Sequence, residues 1–320
     1  MRCYPPSPRH WREKGDESRS RETRRGRHAP VITRFDHAVI AVSDLGRAVE
    51  AYRSLGFDVE PGGRHEHRGT HNAIVRFGFD YLELLGVYDP AETKSSGFNG
   101  RALAEFLGDR EGGLVGYALA TDDITGDVER LRKAGFEVVG PFEMQREKPD
   151  GHVLSWRLLV PVDIPWRRRW PFFIQWDDPD EERLFTERIG THPNGAKSIS
   201  GISVIVRNLE ETVQLYSMLF GTEPVRRDEV PEFTADRASF NVRGFAIDLL
   251  YPAGDGLVRE ALERDGEGPF EARVEVANLD ATGEFLTRAS IETGRDARPR
   301  ALRVPADLAL GASLTLTGSS

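Results

Sequence analysis

Four times along the chain, an apolar run ends at an Asp or Asn and a helix-spaced apolar stripe follows. The four strings are Val42-Ser43-Asp44-Leu45, Thr121-Asp122-Asp123-Ile124, Val206-Arg207-Asn208-Leu209 and Val276-Ala277-Asn278-Leu279. In each, the short polar side chain is placed to accept a hydrogen bond from a first-turn amide, as a helix cap does. Leu45, Val49, Tyr52 and Leu55 then fall at offsets 0, 4, 7 and 10, one face of a helix. Ile124, Val128, Leu131 and Ala134 repeat the pattern, as do Leu209, Val213, Tyr216 and Leu219. The fourth copy keeps Leu279, Leu286 and Ala289, with Gly283 as its weak member. Gly56, Gly135 and Gly221 close three of these helices and are read as left-handed C-caps.

Two or three strand candidates follow each helix. In the first copy they are Asp58–Glu60, His71–Phe77 and Tyr81–Val87. The last strand recurs as Pro171–Trp176, Phe245–Tyr251 and Ala312–Thr317. The predicted unit is therefore β-α-β-β-β, and the fold class is α+β with four tandem modules. A single such sheet leaves an apolar face, so the modules are expected to pair into two domains, 31–190 and 191–320. Thr191-His192-Pro193-Asn194-Gly195 reads as the linker.

Composition removes several alternatives. No apolar run approaches the roughly 18–20 residues needed to span a bilayer, and no apolar leader follows the N-terminal arginines, so a cytoplasmic protein is expected. Cys3 is the only cysteine. That rules out an internal disulfide framework, a cysteine-ligated metal and a core catalytic cysteine. Residues 1–30 hold nine Arg or Lys against four Asp or Glu, a surplus of five positive charges. With a net charge of −9 overall, the rest of the chain carries fourteen net negative charges. The first thirty residues read as a disordered basic tail. The acidic body does not suit nucleic acid. Neither a Walker loop, a dinucleotide fingerprint, a nucleophile elbow nor an HExxH motif is present.

A family resemblance is carried by Asp36-His37-Ala38, Asp44-Leu45, Leu55-Gly56-Phe57, Gly62-Gly63-Arg64-His65, Gly69-Thr70-His71-Asn72 and Tyr81-Leu82-Glu83-Leu84. It continues through Pro149-Asp150-Gly151, Trp156-Arg157 and Pro171-Phe172-Phe173-Ile174. These stretches resemble the glyoxalase-like domain family of the vicinal oxygen chelate superfamily, which includes glyoxalase I, extradiol dioxygenases and bleomycin-resistance proteins. The resemblance runs from about Val31 to Asp178. Beyond residue 197 only the superfamily's general pattern remains.

The resemblance implies a divalent metal (Zn, Fe, Mn or Ni) in a cup between paired modules, held by His and Glu from first and last strands. Such an ion acts as a Lewis acid toward substrate oxygens. His37 and Glu83 occupy those positions in the first module. The counterparts of His37 are Gly116, Gly201 and Glu271; those of Glu83 are read as Gln175, Asp248 and Thr315. Neither half keeps a full ligand set. His37 and Glu83 are thus the expected metal ligands, with Glu83 also the candidate general base because it interrupts an apolar strand. His65, Gly69, Thr70, Asn72, Trp156 and Arg157 are the expected substrate-binding residues. His67, His71 and His152 are weaker candidates, and Trp166-Arg167-Arg168-Arg169-Trp170 reads as a connection or a loop over the pocket mouth. The expected function is a metal-dependent lyase, isomerase or dioxygenase acting on a small oxygenated metabolite. The alternative is a metal-free binding or sequestering protein. The expected partner is a small-molecule ligand, with a homodimer left open and neither nucleic acid nor membrane expected.

Overall fold

The computed structural model describes residues 31–161, 166–295 and 300–318, so the predicted basic tail lies outside the described residues. All four modules have the expected β-α-β-β-β order. The first comprises β1 (Ile32–Val42), α1 (Leu45–Ser54), β2 (Glu60–His65), β3 (Thr70–Arg76) and β4 (Tyr81–Val87). Two short helices, α2 (Pro90–Ser95) and α3 (Phe98–Leu107), lead to the second: β5 (Gly112–Thr121), α4 (Ile124–Lys133), β6 (Val138–Glu147), β7 (Val153–Pro161) and β8 (Phe172–Trp176). Helix α5 (Asp180–Thr186) precedes the third, β9 (Ala196–Ile205), α6 (Leu209–Phe220), β10 (Arg226–Val230), β11 (Ala235–Val242) and β12 (Phe245–Pro252). After α7 (Leu257–Asp265) comes the fourth, β13 (Gly268–Val276), α8 (Leu279–Arg288), β14 (Gly294–Arg295), β15 (Ala301–Val304) and β16 (Ser313–Gly318).

The caps behave as the pattern predicts. Asp44, Asp123, Asn208 and Asn278 accept from the backbone N–H of Arg47, Gly126, Glu211 and Ala281. Gly56, Gly135 and Gly221 take positive φ of 83°, 92° and 66°, where a side chain would be strained. The strand after α1 is displaced from expectation: it runs Glu60–His65 rather than Asp58–Glu60.

Paired modules join through their first strands, β1 antiparallel to β5 and β9 antiparallel to β13. From there the halves diverge. The first closes into a barrel, β1-β4-β3-β2-β6-β7-β8-β5, sealed by β2 against β6 with His65 opposite Arg146. Closure depends on Gly63, because a Cβ there would stand 2.0 Å from the carbonyl oxygen of Glu147. The second half remains an open eight-stranded sheet, β10-β11-β12-β9-β13-β16-β15-β14. Its edges cannot seal in the same way: β14 has two residues, and β10 carries the charged run Arg226-Arg227-Asp228-Glu229, a common guard against edge pairing.

One apolar core passes beneath both sheets, from Ala38 and Tyr117 to Tyr216 and Leu314. At the seam the buried hydroxyls of Tyr117 and Tyr216 lie 2.5 Å apart, and Phe35 stacks on Phe245 at 4.0 Å. The linker is pinned: the Asp58 N–H donates to His192 Nδ1, and Asn194 donates to the Leu55 carbonyl. Among the described residues no helix is long and apolar enough to cross a membrane.

Candidate functional site

Strand alternation determines which residues enter the barrel. On β1, Ala38 and Ile40 face the shared core, so His37 projects to the other side. On β4 the same alternation turns Glu83 inward between the core residues Leu82 and Leu84. There His37, His65, Thr70, Asn72 and Glu83 line one cavity of 460 Å³. His37, His65 and Glu83 are 4%, 6% and 8% exposed, so their charges and protons are largely shielded from bulk water.

Each polar group is braced from behind. His37 Nδ1 lies 2.7 Å from Asp36 Oδ1, and the same carboxylate accepts from Arg34 and from Trp176 Nε1. Burial alone would raise the Asp36 pKa, but Arg34 and His37 hold it well below the ordinary carboxylate range. An ionised Asp36 only accepts, so Nδ1 of His37 carries the proton and Nε2 is the atom that meets Glu83 Oε2, at 3.6 Å. Tyr81 stacks on the His37 ring at 4.6 Å and fixes its plane.

His65 is anchored in a similar way. Its Nδ1 lies 2.9 Å from Thr70 Oγ1, and its Nε2 lies 3.7 Å from Glu83 Oε1. Burial pushes the His65 pKa down to about 4, with Glu83 opposing and Arg146 and Arg68 reinforcing the shift. The neutral ring can then donate to Thr70 while Nε2 faces the Asn72 amide at 3.4 Å. Asn72 Nδ2 also donates to Glu83 Oε1 at 2.6 Å. Asn72 Oδ1 has no partner and rests against Gly62, where a Cβ would come within 2.0 Å.

The remaining candidates divide. Trp156 lines the cavity, whereas Arg157 lines an adjoining groove and lies 3.7 Å from Asp177. Gly69 is not a cavity residue. It is a close-approach glycine at φ 64°, because a Cβ would meet the Asp89 carbonyl at 2.4 Å. The shared parity of His65, His67 and His71 fails at the intervening turn: His67 is exposed at φ 54°, and His71 packs against Tyr88. His152 is also exposed. In the arginine-rich connection, Trp166 lines the cavity, but Arg167 bonds the Leu114 and Pro269 carbonyls and Arg169 bonds Glu211. Those arginines join the two halves.

Ladder register corrects one equivalence. Val39 pairs with Glu83, Ser203 with Asp248 and Arg273 with Thr315, each two residues past the His37 position. The matching pair in module two is Ala118 with Phe172, not Gln175. Phe172 lines the cavity, while Gln175 points away and bonds the Ile124 N–H and the Asp122 carbonyl. The module-two position that matches Glu83 is therefore apolar. Sequence reasoning also missed Asp36, Tyr81, Arg146 and Trp176 as site residues. For Asp36 the signal was its place directly before His37.

Two imidazoles and a carboxylate, each with its own supporting partner, are the donor types of an open metal site. In donor chemistry they fit a divalent ion. Their spacing is looser than a formed centre: among the described residues no group of three or more His, Cys, Asp or Glu is positioned to hold an ion. Binding one would draw His37, His65 and Glu83 together.

The sequence profile of the glyoxalase-like domain matches residues 35–220. The chain belongs to the glyoxalase-like domain family, within the vicinal oxygen chelate superfamily. No curated protein matches it. Among solved structures, a hypothetical protein from Staphylococcus aureus is 19% identical, with 89% of this chain and 99% of that one covered at a TM-score of 0.66. A triply substituted 4-hydroxymandelate synthase from Streptomyces coelicolor is 13% identical, with 90% and 93% covered at a TM-score of 0.58. At such identities the likeness concerns the fold alone.

Proposed function

We propose that the chain is an enzyme that moves a proton at a carbon beside an oxygen substituent of a small molecule bound in the barrel. The observation that carries this reading is the convergence of Glu83, His37 and His65 at one polar end of a buried, otherwise largely apolar cavity. That is the usual form of a small-molecule site with built-in acid–base chemistry.

Glu83 is the base. Asn72 occupies Oε1, which leaves Oε2, beside His37, as the oxygen free to take a proton. His37, fixed by Asp36 and Tyr81, presents Nε2 beside that oxygen, where it can accept a hydrogen bond from a substrate hydroxyl. His65, neutral and tied to Thr70, completes the polar end without adding charge. Closure of the barrel and the aromatic side chains bury the carboxylate, which is 8% exposed. A divalent ion held by His37, Glu83 and His65 would supply Lewis-acid polarisation of the substrate oxygen.

The test is exchange of carbon-bound hydrogen in D2O, followed by proton NMR across a panel of 2-hydroxy and 2-oxo acids, esters and ketones. Protein-dependent exchange of at least one member, lost in Glu83→Gln, is expected. No exchange across the panel by folded protein would overturn the reading. A second reading, binding without turnover, is favoured by Phe172, an apolar residue that stands in module two in the place of a fourth polar group. It predicts saturable binding with no exchange.

A further inference from the structure

Beside the cavity lie three buried guanidiniums, of Arg76, Arg146 and Arg183, around one carboxylate. Glu187 takes Arg76 Nη2 at 2.5 Å and Arg183 Nη2 at 2.7 Å. Arg76 also lies over the Tyr81 ring and Arg183 over the Trp176 ring, 4.8 and 3.6 Å from their centroids. Arg146 fares differently. Its contact with Glu187 is one long hydrogen bond of 3.5 Å. Its Nε has no partner, which is also true of Arg183, but of the three guanidiniums Arg146 is the one that lines the cavity, with its side chain 4% exposed. A buried guanidinium without a short anionic contact is costly, and a ligand that supplies the anion removes the cost. Arg146 sits directly across the β2–β6 seal from His65, so an anion on it lies at the polar end. Aromatic side chains make up much of the remaining lining, Phe142, Trp156, Trp166, Phe172 and Trp176, with Trp156 against His65 and Phe172 against His37.

We infer that Arg146 is the anchor for a carboxylate, and that the ligand is a monocarboxylic acid with an apolar ring that packs among these tryptophans and phenylalanines. This rests on the proposed small-molecule site and narrows its substrate class. A carboxylate matches the planar guanidinium fork of Arg146. Arg68, the other arginine lining the cavity, is half-buried and already donates to the Ser96 carbonyl and lies against Met144, so Arg146 is the better-placed partner for one such group.

The experiment uses unreactive probes, so it does not depend on turnover. Binding of 3-phenylpropanoate, 3-phenylpropanamide and phenyl phosphate is measured by calorimetry and by the fluorescence of the cavity tryptophans. The carboxylate should bind about tenfold or more tighter than the amide, since a charge-assisted hydrogen bond is lost with it. Arg146→Met should remove that preference, leave amide binding within about twofold, and be partly rescued by Arg146→Lys. Equal binding of acid and amide by the unaltered protein, or no binding of either, overturns the inference whether or not the variants fold. Tighter binding of phenyl phosphate overturns the choice of a carboxylate. Failure of the exchange assay leaves this result standing, and exchange confined to neutral substrates would sink the anchor alone.

Discussion

The barrel and the open sheet are built from the same module, yet they spend their buried charges differently. In the barrel, the His37 position holds an imidazole that reaches into a cavity. In the sheet, the same position is Gly201, and the Arg273 guanidinium fills the space: a Cβ on Gly201 would lie 2.2 Å from Arg273 Nη2. That guanidinium donates to Ser203 at 2.9 Å and pairs with Asp248 at 2.9 Å, with Glu271 3.7 Å away. Glu271 accepts further from Ser203 and Thr315, and Asp248 from Ser239. The candidate carboxylates of the second half are thus neutralised by an internal cation. Among the described residues, the barrel's Glu83 has as its polar contacts the Asn72 amide and the His37 and His65 imidazoles, with no guanidinium paired to it. A filled network holds a fold together, whereas an under-filled one is available to a ligand.

Two substitutions should separate these roles most sharply. Glu83→Gln should cost about 10²–10⁴-fold in turnover once a substrate is found, the usual worth of a general base. Its unfolding free energy should stay within about 1 kcal/mol of the parent, because the amide keeps the volume and can still accept from Asn72. Arg273→Met should do the reverse. It removes the cation nearest to buried Asp248 and leaves it with Arg237 at 3.8 Å, a loss of about 3–5 kcal/mol in denaturant unfolding, with cavity binding intact in the folded fraction. A stable Arg273→Met protein would break the comparison.

The supporting residue behind His37 gives the next effect. Protein purified without chelators should carry about one divalent ion per chain, as a single open site implies, and His37→Ala/Glu83→Ala should lose it. Asp36→Asn removes the partner that orients the imidazole. It should weaken that metal by about 10–100-fold and lower kcat with KM nearly unchanged. Metal-free protein would sink the metal-dependent version and leave Glu83 as a base acting alone. A fall in kcat and KM together would point to a general loss of structure instead.

Most of the fold was legible because it is encoded locally. Caps, helix stripes and C-terminal glycines depend on residues within one turn of each other, and all four caps formed. In the candidate site, His37 and Glu83 were legible because their residue types are unusual in their strands, and His65, Thr70, Asn72 and Trp156 through the family resemblance; all six line the cavity. What escaped depends on distant pairing. Sequence alignment makes Gln175 the module-two counterpart of Glu83, but the β5–β8 register puts Phe172 at that position and turns Gln175 toward the start of α4. Arg146 reaches the site only because β2 meets β6, a contact between strands some eighty positions apart. Nor does the helix-anchored alignment reveal Arg273, which lies two residues past the position it compares.

The smallest effect concerns the connection between the two halves. Arg188 pairs with Asp58 at 2.7 Å and with Glu60, and the Asp58 carboxylate also accepts from the Thr191 N–H. The Arg188 hydrogen bond, opposed by slight burial and aided by Thr191, lowers the Asp58 pKa. A depressed carboxylate contributes stability that is full above its unfolded pKa of about 3.9 and is lost as pH falls through the lower folded value. Because Arg188 is half exposed, solvent screening limits the pair to about 1 kcal/mol or less. Arg188→Ala should therefore be slightly less stable than the parent at pH 6, with the gap closing as the pH drops below about 3.9 and shrinking in high salt. A gap of several kcal/mol, or one that persists in acid, would mean that this clasp holds the open sheet against the barrel far more strongly than an exposed ion pair can.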